Sequence, residues 1–217
     1  MSGGDDKTAR LWDAHTGKEL EQFLGHITAV RAVAFSLDGK IILTGSDDKT
    51  ARLWEAATGK ELQQFVGHTA PIRAINFSPD GKFIVTGSDD ESARVWDAQT
   101  GKQVRQLIGH TAPILQVAFL ADGLYVLTGS ADQTARLWKV QTGQIVREFA
   151  GHASHLMFMG FADSGHTVIS GDLEAIYRWR ISLDDVITFT CSQLTRDLTA
   201  DERGLYGIKD SAPTCAK

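Results

Sequence analysis

The chain has 217 residues, is 42% hydrophobic and 23% charged, and carries a net charge of −5, which suffices for one sizeable domain and would be small for two. A pI of about 5.8 gives none of the electrostatic footprint of a nucleic-acid-binding domain, and no run approaches the roughly 18 apolar residues of a membrane span. Two cysteines, Cys191 and Cys215, are too few for a secreted disulfide scaffold, and MSGGDDKTAR lacks the apolar core of a signal peptide. The expected compartment is the cytoplasm, unless a lost upstream segment changes that.

In chain order, Ser2–Asp13 (SGGDDKTARLWD) comes first, in register with Thr44–Glu55. The chain therefore begins at the end of a second strand. From Gly25 a unit of 42 residues sets the organisation. Gly-His recurs at Gly25, Gly67, Gly109 and Gly151, always 42 residues apart, and 25–66 matches 67–108 at 23 of 42 positions. Trp recurs at Trp12, Trp54, Trp96 and Trp138 with the same step, then at Trp179 after 41. A fixed period in this range marks a repeat architecture.

Within the unit starting at Gly67, Ile72–Phe77 (IRAINF) alternates in period two and predicts a strand. Ser78-Pro79-Asp80-Gly81 is turn chemistry. Lys82–Ser88 (KFIVTGS) predicts a second strand, Ser92–Trp96 (SARVW) a third and Lys102–Ile108 (KQVRQLI) a fourth, with polar turns between them. Four short antiparallel strands per roughly 40 residues fit one blade of a β-propeller. The expected division is a half blade at 1–24, blades at 25–66, 67–108 and 109–150, a worn terminal blade at 151–190 and a cap or tail at 191–217.

The worn blade keeps Gly-His but carries Met and Phe in GHASHLMFMG, and Arg180 stands where the other units carry Asp, Glu or Lys after Trp. One residue is missing before Trp179, so Asp172, Glu174 or neither takes the place of the repeating Asp. Such terminal repeats usually act as caps. Asp185–Thr190 is expected to supply the fourth strand, and Thr199-Ala200-Asp201-Glu202 has the spacing of a helix capping box. In a reducing cytoplasm Cys191 and Cys215 are expected as thiols.

The pattern GH…FSPDG…TGSDD…ARVWD resembles the WD-repeat β-propeller family over about residues 1–190. The near-identical units look like bacterial or fungal arrays, and the tail after Cys191 resembles the short cap that follows many bacterial WD-repeat arrays. The resemblance implies an all-β propeller of four-stranded blades, about four and a half of them present. Two arrangements are open for the half blade, whose unpaired edge invites self-association. Glu19–Leu24 would complete the last blade, or the chain would be the C-terminal piece of a larger propeller, which is the expectation.

The resemblance also implies a hydrogen-bonded network in each blade, formed by His26, Thr44, Asp48 and Trp54; by His68, Thr86, Asp90 and Trp96; and by His110, Thr128, Asp132 and Trp138. A catalytic triad of His68, Asp90 and Thr86 is the competing reading. A catalytic site would not be duplicated in every blade, so no catalytic residue is expected. His152 and His155 have a two-residue gap but no accompanying Cys or carboxylate cluster, so no metal is expected, and no phosphate cradle or cofactor motif occurs. Arg10, Arg52, Arg94 and Arg136 form a ladder that binds an anion or, as expected here, pairs with carboxylates.

Positions that differ between units are free to serve a partner, with drift between copies as the alternative. They are Arg31, Arg73, Leu115 and Met157; Ala29, Pro71, Pro113 and His155; and Asp5, Asp47, Asp89 and Ala131. In the family these places look onto the face near the channel mouth, where partners dock. The expected function is a non-enzymatic protein-interaction scaffold, the sensor or binding module of a bacterial signalling protein. A fragment without independent function is the alternative, and a propeller enzyme a further one.

Overall fold

The structure, a computed structural model, describes residues 1–181. The expected fourth strand at Asp185–Thr190, the helix from Thr199 and both cysteines lie outside the described residues.

The described strands group in chain order. They are β1 (Ser2–Gly3), β2 (Ala9–Trp12) and β3 (Glu19–Phe23); β4 (Val30–Phe35), β5 (Ile41–Ser46), β6 (Thr50–Glu55) and β7 (Glu61–Val66); β8 (Ile72–Phe77), β9 (Phe83–Ser88), β10 (Ser92–Asp97) and β11 (Gln103–Ile108); β12 (Ile114–Phe119), β13 (Tyr125–Ser130), β14 (Ala135–Lys139) and β15 (Gln144–Phe149); and β16 (Phe158–Ala162), β17 (Thr167–Gly171) and β18 (Ile176–Arg180). Each group forms its own sheet, with neighbours in sequence as neighbours in space. Among the described residues the three central sheets have four strands and the first and last have three. The fold is all-β and its sheets are propeller blades. Strand β3 is bonded to β2, with Ala9 opposite Phe23 and Arg10 opposite Gln22. Glu19–Leu24 is therefore committed to the first sheet and does not complete the last one.

Local chemistry explains the hairpins. In the turn after β8, the Gly81 N–H donates to the Ser78 carbonyl at 2.9 Å. Gly81 takes φ of 70°, a conformation that glycine adopts without the Cβ penalty. In the turn after β9, Glu91 takes φ of 66°, as Lys7, Lys49 and Gln133 do in their own sheets. Ordinary side chains there cost about 1 kcal/mol. The neighbouring Asp90 Oδ1 offsets this cost by accepting the Ser92 N–H at 3.0 Å and the Ser92 hydroxyl at 2.7 Å.

The core lies in the seams between sheets. One cluster joins Leu43, Ala51, Leu53 and Phe65 of the second sheet to Ile72, Ile75, Ile84 and Trp96 of the third. The next joins Val85, Val95 and Leu107 of the third to Ile114, Val117, Phe119 and Trp138 of the fourth. Trp54, Trp96 and Trp138 thus each pack on the sheet before their own, as Phe65 against Trp96 shows at 5.8 Å between ring centres.

The seams also explain the repeating Thr-Gly-Ser. A Cβ added at Gly45 would lie 2.8 Å from Ile72 Cγ2, and one at Gly87 would lie 2.6 Å from Ile114 Cγ2 and 2.9 Å from Val117 Cγ1. At Gly129 the neighbours are Met159 Sδ at 3.0 Å and Leu156 Cδ2 at 3.2 Å.

Two compact units are present: 1–160 with 170–177, and, among the described residues, 161–169 with 178–181. Everything above concerns the first, apart from the segments of the last sheet. In the second, a 3-10 turn at Asp163–Gly165 is held by the Asp163 carboxylate, which accepts the Thr167 hydroxyl at 2.8 Å and pairs with Arg178.

Overpacking a β-branched wall forces backbone shifts, whereas a flexible thioether gives way. Gly87→Ala is expected to cost about 1–3 kcal/mol of unfolding free energy and Gly129→Ala clearly less, as read from paired urea denaturation curves.

Candidate functional site

Two constellations recur from sheet to sheet: a buried network and an exposed rim. In the second sheet the Trp54 indole N–H donates to Thr44 Oγ1 at 2.9 Å. Thr44 lies 2.7 Å from His26 Nε2, and His26 Nδ1 lies 2.8 Å from Asp48 Oδ2. With the indole donating into the hydroxyl, the hydroxyl proton goes to Nε2, and the neutral imidazole donates from Nδ1 to the carboxylate. His68, Thr86, Asp90 and Trp96 repeat this at 2.7, 2.7 and 2.9 Å. His110, Thr128, Asp132 and Trp138 repeat it at 2.7, 2.7 and 2.8 Å. The carboxylates also hold the backbone, since Asp48 accepts the N–H groups of Ile27 at 3.1 Å and Thr50 at 3.0 Å.

The hydroxyl–imidazole–carboxylate order is that of a nucleophilic triad, but its surroundings are wrong for one. Thr44, Thr86 and Thr128 are each 0% exposed, so no substrate carbonyl reaches the oxygen. The indole N–H occupies the hydroxyl from the other side. What the arrangement does is tie strands and turns of one sheet together through fully partnered buried polar groups.

Burial pushes the pKa of His26 and His110 below the ordinary histidine value, against the opposing pull of Asp48 and Asp132. Burial raises the two carboxylates, but their hydrogen bonds from Thr50, Thr134 and the histidines outweigh it and hold them low. Asp90 is driven well below the carboxylate range in the same way, by His68 and Ser92 against the cost of burial.

In the last sheet Ser170 Oγ stands in for Thr, 2.8 Å from His152 Nε2, and Asp172 lies 3.3 Å from His152 Nδ1. Of the two acidic candidates it is Asp172 that reaches the histidine. It does so from two residues after Ser170, where the other units space Thr and Asp by four. The Tyr177 ring lies against His152, at 4.5 Å between ring centres. Both ring nitrogens of His152 are thus engaged within the blade. Among the described residues no group of three or more His, Cys, Asp or Glu is arranged for a metal ion.

The rim begins with a backbone feature. The pairing of β4 with β5 slips between Val30 and Ala32, that of β8 with β9 between Ile72 and Ala74, and that of β12 with β13 between Ile114 and Gln116. Arg31, Arg73 and Leu115 are the extra residues of three β-bulges. A bulge re-aims its side chain out of the strand's alternation, which sets these three apart from the buried Val30, Ile72 and Ile114 that precede them.

Arg31 and Arg73 are not bare cations. Arg31 pairs with Asp5 at 2.8 Å and Asp47 at 2.6 Å, and Arg73 with Asp47 at 3.1 Å and Asp89 at 2.6 Å. The order Asp5–Arg31–Asp47–Arg73–Asp89 is a continuous ion-pair ladder across three sheets. It stops at the fourth, where the corresponding places hold Leu115 and Ala131. Beyond it Met157 and His155 are exposed, and the Met157 N–H donates to the Gly171 carbonyl at 2.8 Å.

The other arginine column pairs locally. Arg10 meets Glu19 at 3.0 Å, Arg52 meets Glu61 at 2.6 Å, Arg136 meets Glu148 at 2.9 Å, and Arg94 donates to the Gln103 amide at 2.6 Å. Sequence reasoning passed over the buried Ser46, Ser88 and Ser130. Their hydroxyls accept the N–H of the network Asp at 3.1, 3.1 and 3.0 Å. Their recurrence at the 42-residue step is the signal that marks them.

The family described as WD domain, G-beta repeat matches residues 17–55, 59–97 and 101–139, together more than half of the chain. The chain belongs to the WD-repeat family. Each matched segment runs from the last strand of one sheet to the third strand of the next, so a WD repeat here straddles a seam. WD repeats generally act as protein-interaction scaffolds. No curated protein matches the chain, and no helix among the described residues is long and apolar enough to cross a membrane.

The network sets the acid response of this WD-repeat chain. A histidine whose folded pKa is lowered loses stabilising effect as pH falls below its unfolded value of about 6.5. A carboxylate whose folded pKa is lowered does so as pH falls below about 4. The melting temperature is expected to hold from pH 8 to 7, decline below about 6.5 and drop again below about 4. An unchanged melting temperature between pH 7 and 5 would contradict the buried, neutral histidines.

The ladder adds a salt-dependent term. Arg73→Glu places like charges beside Asp47 and Asp89 and is expected to cost about 1 kcal/mol at low ionic strength and less in 1 M salt, as measured by denaturation at both.

Proposed function

We propose that this chain is a non-enzymatic protein-binding platform, the sensor or binding module of a bacterial signalling protein working in the cytoplasm. The observation that carries the reading is the rim. Its bulge positions hold Arg31 and Arg73, whose ion-pair ladder spans three sheets, and then Leu115 in the fourth, with the apolar Met157 at the same step in the fifth. The boundary between ion pairs and apolar side chains offers a partner a desolvated contact flanked by fixed charge, the anatomy of an interaction centre. The partner-binding residues are Arg31, Arg73, Leu115, Met157, His155, Asp47 and Asp89, and the partner is a protein.

The networks support the non-enzymatic side of the reading, because their potential nucleophiles are sealed.

The test restores the repeat pattern where it breaks. Leu115→Arg with Ala131→Asp extends the ladder into the fourth sheet, a change that the second and third sheets already accommodate. Its stability effect is expected within about 1 kcal/mol. Capture of the natural partner from cell extract is expected to disappear with the double variant. Capture at the wild-type level, at equal melting temperature, would remove the rim from the binding surface.

A further inference from the structure

The seam between the second and third sheets is open at the end of β4 and β8 that lies away from the rim. The turns that follow these strands, 36–39 and 78–81, border a cavity of about 650 Å³. Ile41, Leu53, Leu62 and Phe77 line it, with Leu37 and Pro79 from the turns. This volume and this largely apolar lining are those of a small-molecule site.

The repeat shows that such an opening is not inherent in a seam. One step of 42 residues on, Phe83 stands where Ile41 stands, and Val140 stands where the cavity has Ala98. Both larger side chains pack against the core cluster shared by the third and fourth sheets. Phe119, the counterpart of Phe77, is buried, whereas Phe77 is only half-buried. Arg105 reaches the Gln141 carbonyl at 2.5 Å, where the shorter Gln63 meets the Gln99 carbonyl at 3.4 Å. Larger groups thus occupy in one seam what smaller ones leave open in the other.

Leu37 extends the apolar surface outward. It stands where the next units carry Pro79 and Ala121, and it is 91% exposed. A large apolar side chain left in water beside an apolar cavity gains from an occupant that covers it.

The charged groups of the lining are both carboxylates, Asp38 and Asp80. Asp80 is engaged by Lys82 at 3.4 Å. Asp38 forms no ion pair among the described residues. Its Oδ1 accepts the Ser36 hydroxyl at 2.7 Å and the Lys40 N–H at 3.1 Å. These bonds, helped by the charge of Lys40, hold its carboxyl below the usual range, so it is ionised at neutral pH. The complementary occupant carries a cationic head on an apolar body.

We propose that this seam binds a small amphiphilic amine, an aryl or alkyl body ending in an ammonium group. The body enters beside Ile41 and Ala98 and covers Leu37, and the ammonium pairs with Asp38. The site lies at the other end of β4 and β8 from Arg31 and Arg73, and it does not depend on the protein-binding reading of the rim.

The experiment uses probes that share a dansyl group and a short alkyl chain and differ in the end group: cationic dansylcadaverine, neutral dansyl-pentylamide and anionic dansyl-aminohexanoate. Each is titrated with the 217-residue chain at neutral pH, and dansyl emission is followed. Dansylcadaverine is expected to bind saturably and at least about threefold more tightly than dansyl-aminohexanoate, with the preference narrowing in about 1 M salt. Asp38→Asn, freshly prepared, keeps an acceptor for Ser36 and Lys40 but removes the charge. It is expected to weaken dansylcadaverine several-fold and to leave dansyl-pentylamide unchanged. Ile41→Phe with Ala98→Val installs the side chains of the next seam. It is expected to abolish saturable binding of every probe at a nearly unchanged melting temperature. Equal affinity for the cationic and anionic probes, no saturable binding of dansylcadaverine, or undiminished binding to the folded double variant overturns the proposal. The first two outcomes use the unaltered chain and so decide the matter whatever the variants do.

Discussion

Everything in the repeating sheets depends on the need of one buried carboxylate for partners. Asp48, Asp90 and Asp132 sit in turns where they are removed from water, and a charge so placed is costly unless its lone pairs are taken. Each is satisfied by an imidazole, by the N–H that follows the histidine, and by the N–H and hydroxyl two residues on. The imidazole in turn requires a hydroxyl, and the hydroxyl is held by an indole. Removing one member strands the next, so the network fixes the passage into the first strand, the turn after the second and the face of the third together. The same indole then fills the seam against the preceding sheet, which links polar satisfaction within a blade to apolar packing between blades.

The rim obeys a different constraint. The pairing of β4, β8 and β12 with the second strand of each sheet is interrupted by one extra residue, Arg31, Arg73 or Leu115, which is left without a cross-strand partner. That position is Arg in the second and third sheets and Leu in the fourth, and the bulge is kept in all three. Variation is concentrated there for a physical reason: the backbone has uncoupled that position from packing.

Much of this was legible in the sequence. The 42-residue period gives the sheets, the period-two runs give the strands within one or two residues, and the recurring His, Thr, Asp and Trp fall at the distances described. Other features leave no local trace. Ion pairing of Arg31 with Asp5 joins residues 26 apart in different sheets, and only the seam geometry brings them together. The packing of Tyr177 against His152 depends on a shortened turn whose path the spacing alone does not give.

The near-equivalence of the central sheets has a cost that their finished geometry conceals. A strand that docks one whole unit out of place finds the same glycine opening, the same indole seam and the same acceptors. Local energetics therefore discriminate poorly between correct assembly and assembly displaced by 42 residues. Mispaired compact states of this kind are the characteristic kinetic trap of repeat chains. The places where copies differ then act as address labels: Met159 instead of a β-branched wall opposite Gly129, and Leu115 instead of an arginine at the end of the ladder. The irregular fourth and fifth sheets thus give an otherwise self-similar chain the means to count its own blades.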